Sequence, residues 1–125
     1  KSKTVEIWGT GNPKREAMYV DDLSSAIYFI INKKVKKNKR LSNYLKENSL
    51  INVGSGNEYS IKNFAAKISK VVNCKSRLKF NKSFPDGTLR KILDSSFINK
   101  LGWKSKISLT QGLNYTIDWY DKEHN

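Results

Sequence analysis

The sequence predicts a small α/β fold in which three to four helices are joined by short strands within one 125-residue unit. Two short apolar stretches are each followed by a glycine-rich turn, at residues 4–13 and 50–56, and hydrophobic residues recur at helical spacing in three later segments. Strands that alternate with helices are typical of α/β proteins. Because 38% of the residues are hydrophobic and 28% are charged, we expect the chain to fold around one core.

The first predicted element is a short strand from Thr4 to Trp8. Apolar residues alternate with polar ones, and the glycine and proline cluster at residues 9–13 ends the strand. The chain begins with Lys1 and enters this strand almost at once. We therefore expect the sequence to be a piece of a longer protein.

The next segment predicts an amphipathic helix over residues 22–33. Its apolar stripe consists of Leu23, Ala26, Ile27, Ile30 and Ile31. This spacing places all five on one helical face, as in an amphipathic helix. Asp21 and Asp22 stand at the helix start, where acidic side chains favour the helix dipole, so we interpret the pair as capping residues rather than as catalytic ones.

A polar stretch follows at residues 35–49, in which Leu41, Tyr44 and Leu45 predict one helical turn on a surface excursion. The run Lys33–Arg40 contributes six positive charges to a formal net charge of +13. Such a charge is compatible with nucleic-acid binding. However, 20 of the 24 basic residues are lysines, which favours a solvated, lysine-rich surface.

Residues 50–72 predict a strand, a turn and a helix in succession. The strand is Leu50 to Val53, the turn is Gly54-Ser55-Gly56, and Ser60 is the predicted N-cap of the helix. Two glycines at this spacing occur in the dinucleotide-binding fingerprint, but Tyr59 occupies the position of its third glycine. We therefore interpret the segment as a tight turn and not as a cofactor loop.

The remainder of the chain predicts a strand from Arg77 to Phe80, a loop, and two helices. Asp94 is positioned to cap a brief helix that Gly102 ends, because glycine readily adopts the left-handed conformation after a helix. A capping box at positions 108 and 111 starts the last helix.

Residue types that perform common enzyme chemistry are scarce. His124, the single histidine, lies next to the end of the chain, and the single cysteine, Cys74, excludes an internal disulfide and a cysteine-based zinc site. No tyrosine has a lysine four positions later, and no apolar run approaches the roughly 20 residues of a membrane span. We predict no catalytic, metal-binding or cofactor-binding residue in this chain, and a cytoplasmic location.

Three longer motifs occur in order: "WGTGNPKREAMYVDDLSSAI", "INVGSGNEYSIKNFAAKISKVV" and "FPDGTLRKILDSSFINKLGWKSKISLTQGL". Their order and spacing resemble the C-terminal part of the extended short-chain dehydrogenase/reductases, also called the NAD-dependent epimerase/dehydratase family, and in particular its GDP-L-fucose synthase members. The resemblance implies that residues 1–125 form one substrate-binding lobe of a Rossmann-type enzyme. It also implies that an N-terminal Rossmann domain, absent from this chain, binds NADPH and carries the catalytic residues, and that the full-length enzyme is a homodimer.

The resemblance further implies a GDP-sugar site. Trp8, Arg15 and Asp86 match the family positions that contact the substrate, and Lys91 is a further candidate for the diphosphate. The implied reaction converts GDP-4-keto-6-deoxy-mannose to GDP-L-fucose. A nucleotide diphosphate sugar presents phosphate charges, a flat base and hydroxyl groups, which suit a guanidinium, an aromatic wall and a carboxylate.

Other interpretations of the same residues remain open. Trp8 is compatible with a core position, Arg15 with a surface ion pair to Glu16 or Asp22, and Asp86 with an ordinary turn. The alternative functions are another nucleotide-sugar epimerase or dehydratase, a basic module that binds nucleic acid, and a relic without activity.

Overall fold

The computed structural model describes residues 3–32 and 37–124. Five strands lie within these ranges: β1 (Thr4–Trp8), β2 (Lys14–Glu16), β3 (Glu58–Ser60), β4 (Arg77–Asn81) and β5 (Arg90–Lys91). Five helices accompany them: α1 (Val20–Asn32), α2 (Lys39–Asn48), α3 (Ile61–Val71), α4 (Ser96–Lys100) and α5 (Leu109–His124). The α/β prediction is confirmed, with more helices in the described residues than the three to four expected.

The strands form two small sheets. β1 and β4 pair in parallel, from Thr4 opposite Arg77 to Trp8 opposite Asn81. In the second sheet, β2 is central, antiparallel to β3 and parallel to β5. The parallel pairing brings the carboxyl ends of β1 and β4 to the same edge, so the turn after β1 and the loop after β4 leave the sheet side by side.

The buried core lies among the helices. Ala26 of α1, Ile98 of α4 and Trp103 form its centre, and the indole Nε1 of Trp103 donates a hydrogen bond to Ser25 Oγ at 3.0 Å. The indole N–H is therefore satisfied inside the core, as a buried tryptophan requires.

The predicted single turn around Leu41 is wrong, because α2 is a ten-residue helix. Asn38 caps its start by accepting a hydrogen bond from the amide of Leu41. The Leu41 side chain is fully buried, and Tyr44 stacks on Phe97 of α4 with ring centroids 3.5 Å apart. Burial of apolar side chains stabilises a helix that its polar sequence did not predict. Four residues of the basic run, 33–36, lie outside the described residues.

Asp22 does not cap α1, which corrects the capping interpretation. Its side chain is buried and accepts hydrogen bonds from the hydroxyl of Ser105 at 2.7 Å and from the amides of Lys106 and Ile107 at 3.1 and 2.9 Å. Burial alone raises the pKa of Asp22, but these hydrogen bonds and the Lys106 charge outweigh it, so the pKa lies below its ordinary value. The carboxylate thus joins α1 to the segment that leads into α5.

The apolar stripe predicted for α1 is only partly buried in the described structure. Ala26 is buried, whereas Leu23, Ile27 and Ile31 are 41%, 54% and 68% exposed. The predicted strand from Leu50 to Val53 is also wrong, since no described strand pairs with it. Its backbone runs beside α1, where Leu45, Ile51 and Val53 help to line a shallow apolar cavity.

The predicted helix starts are largely confirmed. Ser60 Oγ accepts a hydrogen bond from the amide of Asn63, and Ser108 and Gln111 exchange the two hydrogen bonds of a capping box. Asp94 accepts a hydrogen bond from the amide of Ser96 at the start of α4. Within the described ranges, no helix is both long and apolar enough to cross a bilayer.

Candidate functional site

The candidate site lies where the parallel strands β1 and β4 end. Trp8 and Asn81 are register partners at these ends, and the amide of Gly9 donates to the carbonyl of Asn81 at 2.9 Å. From this edge the turn 9–13 leads to β2, and the loop 82–89 leads to β5. The carboxyl ends of parallel strands are the usual place for a ligand site in α/β proteins.

Asp86 is held by the turn that follows β1. Its carboxylate accepts hydrogen bonds from the amide of Thr10 at 2.8 Å and from the Thr10 hydroxyl at 2.5 Å. The hydrogen bond from the Thr10 hydroxyl lowers the pKa of the Asp86 carboxyl most, and the hydrogen bond from the amide lowers it further. The pKa of Asp86 therefore lies below its ordinary value. Gly9 adopts a φ of +84°, and a Cβ at this position would collide with the Asp86 carboxylate. Glycine is therefore required for this close approach.

Arg15 lies on β2 and contacts the same loop. Its Nη1 donates to the carbonyls of Lys14 and Thr88, each at 2.7 Å. Its Nη2 lies so close to Gly87 that a Cβ built on this glycine would be 3.3 Å from the nitrogen. The pairing with Glu16 or Asp22 that the sequence left open is not observed among the described residues. One edge of the guanidinium is thus fixed by backbone, and the other is not engaged by any described side chain.

Trp8 is not a core residue. Its ring stacks on Phe84, with centroids 4.3 Å apart and an interplanar angle of 11°, and its side chain remains 66% exposed. The core alternative for Trp8 is therefore wrong.

Lys91 lies on β5, where the register pairs it with Arg15. The two side chains share a face of the sheet, because paired residues on neighbouring strands point to the same side. Lys91 is exposed. Its neighbour Arg90 instead forms an ion pair with Glu58 at 2.6 Å, which lowers the pKa of the Glu58 carboxyl.

The loop 82–89 thus brings three of the sequence-predicted residues together. It carries Asp86, covers one face of Trp8 through Phe84, and fixes Arg15 through the carbonyl of Thr88. Thr10, Phe84 and Thr88 also belong to this arrangement, although the sequence did not indicate them. No local signal identifies them, because each contact joins residues 73 to 76 positions apart.

Glu16 follows Arg15 and closes the glycine turn at residues 54–56. Its carboxylate accepts hydrogen bonds from the amide of Gly56 at 2.5 Å, from the Ser55 hydroxyl and from the amide of Leu93. A Cβ on Gly54 would lie 2.6 Å from both carboxylate oxygens. An anionic group already occupies this turn, so the turn does not fit the pyrophosphate of a dinucleotide cofactor.

A cavity of about 1130 Å³ lies at the other end of β1 and β4, away from these residues. It is lined by Lys3, Arg77 and the segment around Cys74. The backbone and hydroxyl of Ser76 lower the pKa of the Cys74 thiol. We place the candidate site at Trp8, Arg15 and Asp86 instead, because an aromatic ring, a guanidinium and a carboxylate converge there on one loop.

Comparisons with known proteins agree with the resemblance in the sequence. Residues 1–54 match the model of the NAD dependent epimerase/dehydratase family. GDP-L-fucose synthase 1 of Arabidopsis thaliana is 40% identical over 121 residues, which are 97% of this chain and 34% of the plant protein. The chain therefore spans about a third of the length of the curated relatives it matches.

Two solved structures share both fold and sequence with the chain. A GDP-6-OMe-4-keto-L-xylo-heptose reductase from C. jejuni superposes with a TM-score of 0.80 at 36% identity, over 97% of this chain and 34% of the reductase. A GDP-mannoheptose C4 reductase from Campylobacter jejuni with NADP bound gives a TM-score of 0.77 at 35% identity, over 94% of this chain and 35% of that protein.

Proposed function

We propose that this chain is the GDP-sugar-binding lobe of an NADPH-dependent epimerase/reductase of the GDP-L-fucose synthase type, within the NAD dependent epimerase/dehydratase family whose model matches residues 1–54. The observation that carries the proposal is the loop 82–89, which joins an aromatic ring, a guanidinium and a carboxylate at one edge of the fold. The substrate class is a GDP-4-keto-6-deoxy-hexose, and the product is GDP-L-fucose.

Arg15 binds the diphosphate in this proposal. Two backbone carbonyls already hold its Nη1, so little side-chain freedom is lost when Nη2 and Nε meet a phosphate oxygen. A planar guanidinium suits this contact because it donates two parallel hydrogen bonds. Lys91 adds positive charge from the neighbouring strand on the same face.

Trp8 and Asp86 bind the remainder of the ligand. The exposed face of the indole is a flat apolar surface. Each Asp86 oxygen accepts one hydrogen bond from Thr10, and because a carboxylate oxygen has two lone pairs, each can accept a second one from a ligand hydroxyl.

The cofactor of this proposal, NADPH, requires residues outside the chain, because Glu16 occupies the one glycine turn that resembles a dinucleotide loop. The chain's residues bind and orient the sugar nucleotide. The catalytic residues belong to an N-terminal Rossmann domain, which we propose as the partner of the exposed apolar face of α1 and of the unpaired segment 50–53. We further propose a homodimer and a cytoplasmic location for the full-length enzyme.

The comparisons do not favour the nucleic-acid-binding alternative, since the relatives are named for GDP-sugar chemistry. A related epimerase or dehydratase that uses another nucleotide sugar is the nearer alternative. The proposed enzyme and this related enzyme differ in the sugar nucleotide that they convert.

The direct test is an activity assay of the full-length protein with GDP-4-keto-6-deoxy-mannose and NADPH. We expect substrate-dependent oxidation of NADPH and formation of GDP-L-fucose, identified by chromatography and mass spectrometry. UDP-glucose serves as the control substrate. Turnover of UDP-glucose but not of the GDP-sugar would contradict the proposal in favour of the related enzymes.

A further inference from the structure

We propose that Phe84 is a positioning residue of the GDP-sugar site, which covers one face of the Trp8 ring and directs a ligand ring onto the opposite face. This inference rests on the proposed function and deepens it. The two rings are nearly parallel, at 11°, with centroids 4.3 Å apart. The sequence motifs assign a ligand contact to Trp8 and give no role to Phe84.

Phe84 is anchored on both sides along the loop. On one side, the Asn81 Oδ1 accepts hydrogen bonds from the Ser83 amide at 3.1 Å and from the Ser83 hydroxyl at 2.6 Å. On the other side, Asp86 is fixed to Thr10. The loop therefore holds the phenyl ring in place before a ligand arrives, and preorganisation of this kind lowers the entropic cost of binding.

The exposed fraction of Trp8 indicates which face of its ring is available to a ligand. Trp8 remains 66% exposed although Phe84 lies against it, whereas Trp103 in the core is only 6% exposed. Since one face of the Trp8 ring is covered, its open surface is the opposite face and the ring edge. Flat aromatic surfaces of this kind bind groups that present a planar or CH-lined ring, which here means the guanine base or the hexose.

Phe84 also fixes the angle between Trp8 and the polar groups of the site. Trp8 ends β1, and without a neighbouring ring its side chain can rotate about two torsions. Asp86 lies two residues after Phe84, and the next residue, Gly87, contacts the Arg15 guanidinium. One short loop thereby sets the relative positions of the aromatic, acidic and basic groups.

The test is calorimetric titration of the full-length protein with GDP-mannose and, separately, with GDP. We expect Phe84→Leu to weaken GDP-mannose binding about 3- to 10-fold, the range expected for loss of one aromatic stack. Phe84→Tyr keeps the ring and should restore the affinity to within about twofold. A loss shared by GDP assigns the base to Trp8, and a loss confined to GDP-mannose assigns the hexose.

Phe97→Leu is the matched control, because Phe97 stacks on Tyr44 at the same 11° angle but lies on α4, among the core helices. It should lower the melting temperature and leave GDP-mannose affinity unchanged. Wild-type affinity in Phe84→Leu would overturn the inference, as would a Phe84→Tyr variant that fails to restore binding. If the unmodified protein does not bind GDP-mannose at all, the proposed function itself fails.

Discussion

Two aromatic stacks with the same interplanar angle serve different regions of the molecule. Tyr44 and Phe97 join α2 to α4, the helices that carry the fully buried side chains of Leu41 and Ile98. Trp8 and Phe84 join a strand end to a loop, and the Trp8 side chain is left mostly exposed. The first stack closes a core, whereas the second builds an exposed surface.

The polar groups of the two regions differ in how fully their hydrogen-bonding capacity is used within the fold. In the helical region, the buried carboxylate of Asp22 is fully engaged by donors from the 105–107 segment. In the loop region, Asp86 and Arg15 are held by backbone and by Thr10, but each keeps hydrogen-bonding capacity that these contacts do not use. Substitutions in the first region should therefore change unfolding, and those in the second should change binding.

The largest effect is expected at Asp22. Asp22→Ala leaves the half-buried Ser105 hydroxyl and two amides without their acceptor, which should lower the free energy of unfolding by about 3 kcal/mol at neutral pH. Urea denaturation followed by circular dichroism measures this loss. Asp21→Ala is the control, since Asp21 is exposed and should change the stability little.

The same carboxyl predicts a pH dependence. Because the pKa of Asp22 is depressed in the folded state, its stabilising contribution is complete above the unfolded value of about 3.9 and is lost as the pH falls through the folded value. The stability difference between wild type and Asp22→Asn should therefore shrink on acidification. A difference that stays constant down to pH 2 would show that the hydrogen bonds do not depend on the charge.

The next largest effect is expected in the loop region, on ligand binding by Arg15. Arg15→Ala should weaken GDP-mannose binding by about 10- to 100-fold with little change in melting temperature, because charged hydrogen bonds contribute about 1.5–3 kcal/mol. Calorimetric titration of wild type and variant with GDP-mannose gives the ratio of their dissociation constants. Arg77→Ala, at the opposite end of the parallel sheet, should bind like wild type. Equal losses in both variants would point to a diffuse charge effect.

A double-mutant cycle sharpens the comparison of the two stacks. Leucine substitutions at Tyr44 and Phe97, singly and together, should give a coupling free energy of unfolding of about 1 kcal/mol. The same cycle at Trp8 and Phe84 should give a smaller value, because exposed Trp8 buries less area. If the exposed pair couples more strongly in unfolding, the assignment of this pair to binding would be wrong.

The smallest effect is at Thr10. Thr10→Val removes the hydroxyl that contributes most to the depressed pKa of Asp86, so this pKa should rise toward its ordinary value. Thr10→Ser keeps the hydroxyl and should leave the pKa low. An NMR titration that follows the chemical shift of the Asp86 carboxyl carbon measures this pKa in both variants. An unchanged pKa in Thr10→Val would show that the backbone amide alone sets it.

Much of the fold could be predicted from local patterns. The strand ended by glycines after Trp8, the cap at Ser60 and the capping box at Ser108 each depend on neighbouring residues, and each is confirmed. The strand at 50–53 was mispredicted because its apolar residues do indicate burial, and Ile51 and Val53 are half-buried against the core, but no described strand pairs with its backbone. On α1, Ile30 packs against the same core, whereas Leu23, Ile27 and Ile31 remain exposed in the described structure.

Motif resemblance assigns ligand contacts to Trp8, Arg15, Asp86 and Lys91, and these roles stay predictions. The structure adds how the first three are held, through Phe84, the carbonyl of Thr88 and Thr10 respectively. Such contacts between distant parts of the chain leave no periodic signal. Asp22 was misinterpreted because its position at a helix start matches a capping pattern, whereas its partners lie more than 80 residues later.

The most direct test of the account is a ¹H–¹⁵N NMR titration of the full-length protein with GDP-mannose. The indole signals of Trp8, Trp103 and Trp119 report on three separate regions of this chain. We predict that the Trp8 indole and the amides of Thr10 and Gly87 shift in a saturable manner, while the Trp103 indole stays in place. Saturable shifts that leave Trp8 unmoved, or no shifts at all, would contradict the assignment of this surface to a GDP-sugar.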